Sequence, residues 1–211
     1  MTRKTRTGVA LTALALSLFV CEGWTAHAQN PPAPAADDGP RYSSGMNLIR
    51  PTNYREWIFL SSSLGLTYQP PGRSTISPAP PTFGNVFVNP SSYRSFMQAG
   101  KWPDKTIFVL EFRQSGTEAS VNKDGRFQTS FAGFEAEVKD ARFSDGWAFF
   151  GFGPPGPPNE GVAPLATERA APCVECHTQH TAVERTFVQF YPTLLEVARR
   201  LGTVKPNYTE P

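Results

Sequence analysis

Side chains able to hold a transition metal are scarce in this chain: its 211 residues include three cysteines, three histidines and three methionines. Charge of one sign is scarce too. The net charge is +2, and neither a basic stripe nor a charge block occurs, which excludes a nucleic-acid surface and a charged tail. No internal repeat is present, so a solenoid is excluded. Long hydrophobic runs are missing as well. The apolar run from Gly8 to Val20 falls short of a membrane span, which needs roughly 20 residues.

That run has a different use. Arg3, Lys4 and Arg6 precede it, and Ala26-His27-Ala28 follows it with small residues at cleavage positions. Positive start, apolar core and A-x-A ending are the layout of a secretory signal peptide. The expectation is cleavage near Ala28, a periplasmic mature protein and no membrane span. An uncleaved anchor is disfavoured by length. Lipoprotein cleavage before Cys21 is disfavoured by the bulky Phe19 and Val20. Residues 29–47 begin with the Pro- and Ala-rich QNPPAPAADDGP and read as a disordered lead-in. A folded domain is expected over 48–203, with a tail at 204–211.

Within the domain, strand signals lie at Asn85–Asn89, Thr106–Phe112, Phe127–Val138 and Trp147–Phe152, the last preceded by an Asp145-Gly146 turn. Tyr54–Ile58 reads as a short helical or extended opening, and Gln69–Thr82 as a loop. A helix is predicted over Ser91–Ala99, after Asn89-Pro90 and before Gly100. Residues 153–172 hold six prolines and read as a loop. Helices are predicted over Thr178–Phe190 and Thr193–Leu201, with Gly202 as the stop. The fold class is α+β, mainly an antiparallel sheet with a few helices.

Once the leader is removed, two cysteines remain, and they stand in one window: Cys173-Val174-Glu175-Cys176-His177. Two thiols three residues apart can add to the two vinyl groups of a haem, and the adjoining histidine then falls beneath the iron as its proximal ligand. A zinc site would need two more ligands, and His180 is the other histidine left. A thioredoxin-like dithiol should follow a strand, whereas a Pro-rich loop comes before this one. A disulfide remains the competing use of the pair. One covalently attached haem c is therefore expected, next to a C-terminal helix. For the iron's other face the candidates are Met46, Met97 and His180. His180 lies one turn from His177 on the same segment, and neither methionine is flanked by a convincing ligand loop. An open or water-held sixth position is expected.

Several motifs occur together in order: Y-R-E-W (54–57), V-F-V-N-P-x-x-Y (86–93), G-K-W-P-D-K-T (100–106), F-E-A-E-V-K-D (134–140), W-A-F-F (147–150), C-V-E-C-H (173–177) and F-x-x-F-Y-P-x-L (187–194). This run resembles the cytochrome P-460 family, which includes the cytochromes c′-β. The resemblance implies a largely β homodimer and a five-coordinate c-type haem with an apolar distal pocket. Members of the P-460 kind oxidise hydroxylamine and carry a lysine cross-linked to the haem. Members of the c′-β kind lack that bond and bind nitric oxide and carbon monoxide. The cross-linking position corresponds to Leu110, and a leucine cannot form the bond. Lys101 and Lys105 precede the strand and read as solvated turn lysines.

Strand alternation puts Phe108, Leu110 and Phe112 on one face, a greasy distal wall if residue 110 looks at the haem. Glu168 is the candidate catalytic carboxylate, with Glu160 farther away. Arg55, Glu56 and Glu111 match motif positions that ion pairs or dimer contacts explain equally well. The expectation is a c′-β-like protein taking a small diatomic gas, with an unidentified redox partner. The alternatives are oxidation of hydroxylamine or a related nitrogen compound, and plain electron transfer with Met97 or His180 as sixth ligand.

Overall fold

A computed structural model describes residues 37–66, 80–153, 161–163 and 171–209. These belong to one unit, 35–211. The expected leader, Gln29–Ala36, Glu160 and Glu168 lie outside the described residues.

The fold is α+β. Five strands form an antiparallel sheet: β2 (Ile58–Leu64), β3 (Phe83–Val88), β4 (Thr106–Gly116), β5 (Phe127–Lys139) and β6 (Trp147–Gly153), side by side in that order. Each strand is joined to the next in sequence, as short connections favour. A small second ladder pairs β1 (Leu48–Ile49) with β7 (Val162–Ala163). The described helices are α1 (Pro90–Ala99), α2 (Ala171–Gln179) and α3 (Pro192–Arg200). No helix among the described residues is long and apolar enough to cross a membrane.

The sheet buries both faces. Ile107 and Val109 of β4 join Phe134, Ala136 and Val138 of β5 in one apolar cluster, with Tyr54 and Trp57. On the opposite face Phe108 joins a cluster with Phe96 of α1, Trp102, Trp147 and, from α3, Leu194, Val197 and Ala198. The period of two along each strand sorts the residues between these faces. On the first face Glu111 is buried and bound by Tyr54, Arg55, Arg113 and Asn85. Burial, then the carboxylate, pushes the Tyr54 hydroxyl up to about 12. Arg55 and Glu111 are thus ion-pair partners.

Four expectations differ from the structure. Ile58–Leu64 is a strand that its serines concealed, and the Pro-rich 153–172 region contributes β7. Thr178–Phe190 is not a helix: α2 ends at Gln179, and a 3-10 turn spans Val188–Phe190. Residues 37–47, which composition placed in the lead-in, are tied to the domain. Asp38 accepts hydrogen bonds from the Ser91 backbone and hydroxyl and from Asn89, and Tyr42 bridges to Leu48.

Candidate haem site

Cys173, Cys176 and His177 all lie on α2, within 1.5 turns of one another at 3.6 residues per turn. Both thiols are free, Cys173 exposed and Cys176 half-buried, so the competing disulfide is not formed. Burial raises the pKa of each thiol, assisted by Glu135 beside Cys173 and by Glu175 beside Cys176. Both therefore hold their protons at neutral pH.

His177 is held on three sides. Its ring meets Phe149 of β6 at 4.5 Å and Phe187 at 4.7 Å, edge-on in both cases. Its Nδ1 lies 2.7 Å from the carbonyl oxygen of Arg185. A carbonyl can only accept, so Nδ1 carries the proton and Nε2 keeps the lone pair. That is the tautomer a metal-binding imidazole needs, fixed by its second nitrogen. Glu137 Oε1 stands 3.2 Å from the same Nδ1. Burial lowers the His177 pKa, but Glu137 and the Arg185 carbonyl outweigh it and leave the pKa raised.

The strand register shows what shares this face. Phe108 pairs with Glu137, and Glu137 with Phe149. One row farther along, Val86 pairs with Leu110, Leu110 with Glu135, and Glu135 with Gly151. Next comes Phe112, opposite Gly84 and Gly133. Leu110, Phe108 and Phe112 thus lie on the face that carries His177. Phe108 is packed into the core against Trp102 at 4.7 Å, whereas Leu110 and Phe112 are half-buried. The alternation of β4 alone left Glu135 and Glu137 out of view. They became visible only with the β4–β5 register, because Phe134, Ala136 and Val138 take the other face.

The donor set fits a haem attached through thioethers. Two neutral thiols and one imidazole with a free Nε2 share a single helix. Beside them a Cβ added at Gly151 would meet nothing within 4 Å among the described residues, so this end of the row is open. Comparison with known families agrees: the family model for cytochrome P460 matches residues 51–188. The chain belongs to the cytochrome P460 family. No curated protein matches it. A cytochrome P460 domain is a c-type haem domain, and the matched span covers β2 to β6 and all of α2.

The remaining candidate residues lie elsewhere. Met97 packs beside the second apolar cluster, Met46 sits in a 3-10 turn near the start of the domain, and His180 is exposed just past α2. Lys101 is exposed, and Lys105 pairs with Asp140 at 2.7 Å.

Proposed function

We propose that this chain is a periplasmic c′-β-like protein, carrying one haem c on Cys173 and Cys176 with His177 as proximal ligand, that binds nitric oxide or carbon monoxide. The observation that supports it most is the commitment of His177 Nδ1 to the Arg185 carbonyl, which reserves Nε2 for iron. When bound, the haem supplies an iron whose sixth position can take a small ligand. The chain does the rest. Phe149 and Phe187 fix the imidazole plane, and Leu110 and Phe112 add apolar side chains to the neighbouring rows. Neutral diatomics lose little hydration there, whereas anionic ligands would lose much of theirs without hydrogen bonds in return. Leu110 stands where a cross-linking lysine would be needed, which favours gas binding over hydroxylamine chemistry.

Glu135 supports a second reading. It is exposed at the surface of that face, yet partial desolvation raises its pKa against the opposing pull of His177, and it stands directly across the ladder from Leu110. A carboxyl group so placed could take protons released by a nitrogen substrate, as could Glu168. Absorption spectra of the purified ferrous protein decide between the readings. A five-coordinate high-spin spectrum that shifts with nitric oxide and carbon monoxide is expected. A low-spin spectrum indifferent to carbon monoxide would overturn both readings in favour of electron transfer. A strongly red-shifted Soret band would reveal a haem cross-link despite Leu110. Hydroxylamine turnover with an artificial oxidant would establish the second reading. The expected homodimer is checked by sedimentation.

A further inference from the structure

Glu137 is a costly residue for its position. Its side chain is 12 % exposed, and Oε1 makes no hydrogen bond among the described residues, although it lies 3.2 Å from His177 Nδ1. The imidazole N–H is aimed at the Arg185 carbonyl, and the carboxylate stands beside that axis. Its neighbours in the ladder are Phe108 and Phe149, against which an aliphatic side chain would pack at lower cost. A buried carboxyl group with one oxygen left without a hydrogen bond therefore calls for an explanation. Burial pushes the Glu137 carboxyl pKa up, and His177 and Arg185 pull against that shift without cancelling it. Arg185 Nη1 is itself buried without a partner among the described residues, while its Nη2 pairs with Asp145 at 2.9 Å.

We propose that Glu137 is a positioning residue that tunes His177, its carboxylate polarising the Nδ1–H bond so that Nε2 becomes a stronger iron donor. A carboxylate or carbonyl on the remote nitrogen raises the basicity of a ligating imidazole. Here both act on the same proton, the carbonyl fixing the ring and the charge adding donor strength. A more basic axial ligand stabilises ferric over ferrous iron and lowers the reduction potential. The inference rests on the reading that His177 binds the haem iron.

The test compares the haem-loaded full-length protein with its Glu137→Gln, Glu137→Asp and Glu196→Gln variants, Glu196 being an exposed residue of α3. Resonance Raman spectra of the ferrous form read the iron–histidine stretch, and a redox titration reads the midpoint potential. Glu137→Gln keeps the size and loses the charge, so the stretch should fall and the potential rise. Glu137→Asp should restore part of both shifts, and Glu196→Gln should cause neither. A haem-loaded Glu137→Gln protein with both values unchanged would overturn the inference and leave the haem assignment standing. Wild-type protein with no iron–histidine stretch would overturn the haem assignment and this inference with it. If Glu137→Gln fails to fold, the wild-type stretch decides. A frequency above that of a neutral imidazole supports the inference, and one at the neutral value refutes it.

Discussion

Two carboxylates of this domain are almost fully enclosed at opposite ends of one short segment, and the chain treats them differently. Asp140 is buried and saturated: Lys105 at 2.7 Å, Arg142 at 2.6 Å and the Tyr42 hydroxyl at 3.1 Å all approach it, and the Arg142 backbone donates at 3.0 Å. Burial alone would raise its pKa, but these partners outweigh it and hold the group well below the usual carboxylate range. Glu137, three residues earlier, has the His177 ring and little else. The first arrangement stabilises the fold, and its consequence can be measured. An unfolded aspartate takes up its proton near pH 4, as ordinary aspartates do, whereas the folded one does so only at lower pH. The ionised form thus favours the folded state at neutral pH, and that advantage should fade as pH falls below about 4. Asp140→Asn should cost about 2 kcal/mol at pH 7, less than a fully enclosed pair because Lys105 and Arg142 are half-exposed and can hydrate. Urea midpoints between pH 3 and 7 check both points. The variant's deficit should shrink toward the acid end, and a deficit constant with pH would overturn the assignment.

Elements were legible in the sequence in proportion to how far local chemistry decides them. Thr106–Phe112 and Trp147–Phe152 are dense in β-branched and aromatic residues, and both became strands. Ser61-Ser62-Ser63 carries little such signal. That segment is a strand because β3 offers it a ladder, a tertiary cause that the residues do not announce. The segment after Gln179 shows the opposite conflict. Its helical pattern is defeated by side chains that capture backbone groups. The Thr181 hydroxyl donates to the Glu184 carbonyl at 3.0 Å, that of Thr186 to the Val183 carbonyl at 2.8 Å, and Gln189 bonds both Ala182 and His180. Glu184 adopts φ +49°, which ends any helix there. The C-V-E-C-H window stood out in the sequence, but the carboxylates around it depend on strand register and did not. The α1 terminus was legible through Gly100, which sits at φ +66° and donates its N–H to the Phe96 carbonyl. A Cβ there would also stand 2.7 Å from the Thr203 hydroxyl. Gly100→Ala should therefore cost about 1–2 kcal/mol, more than backbone strain alone. Gly100→Ala combined with Thr203→Gly should recover the steric part, and thermal unfolding of the single and double variants separates the two contributions.

At the scale of the whole molecule, α2 is held more loosely by described contacts than α1 and α3, which both bury residues. Along it Cys173, Glu175, Thr178 and Gln179 are exposed, and none of residues 172–179 is fully buried. By contrast Thr106–Val109 of β4 are all buried, and β4 is paired on both sides. Among the described residues the ties that fasten α2 include the His177 ring between two phenylalanines, its Nδ1 at the Arg185 carbonyl and Glu137, the Thr181 hydroxyl donating to the His177 carbonyl, and Lys205 donating to the Thr178 carbonyl at 2.9 Å. A helix of nine residues is too short to persist in water on its own propensity. Covalent attachment at two of its residues and ligation at a third would fasten it to a rigid group. Haem loading should then stabilise the molecule unevenly. Hydrogen exchange followed by mass spectrometry should show amides 173–179 protected in the loaded protein. In the Cys173→Ala/Cys176→Ala double variant they should exchange at least tenfold faster, while amides 106–112 stay protected in both because the sheet closes without the haem. Equal protection of 173–179 in the two proteins would mean that the His177 contacts alone hold α2. The haem would then dock onto a finished surface, and Glu137 and Arg185 would already be in place before it arrives.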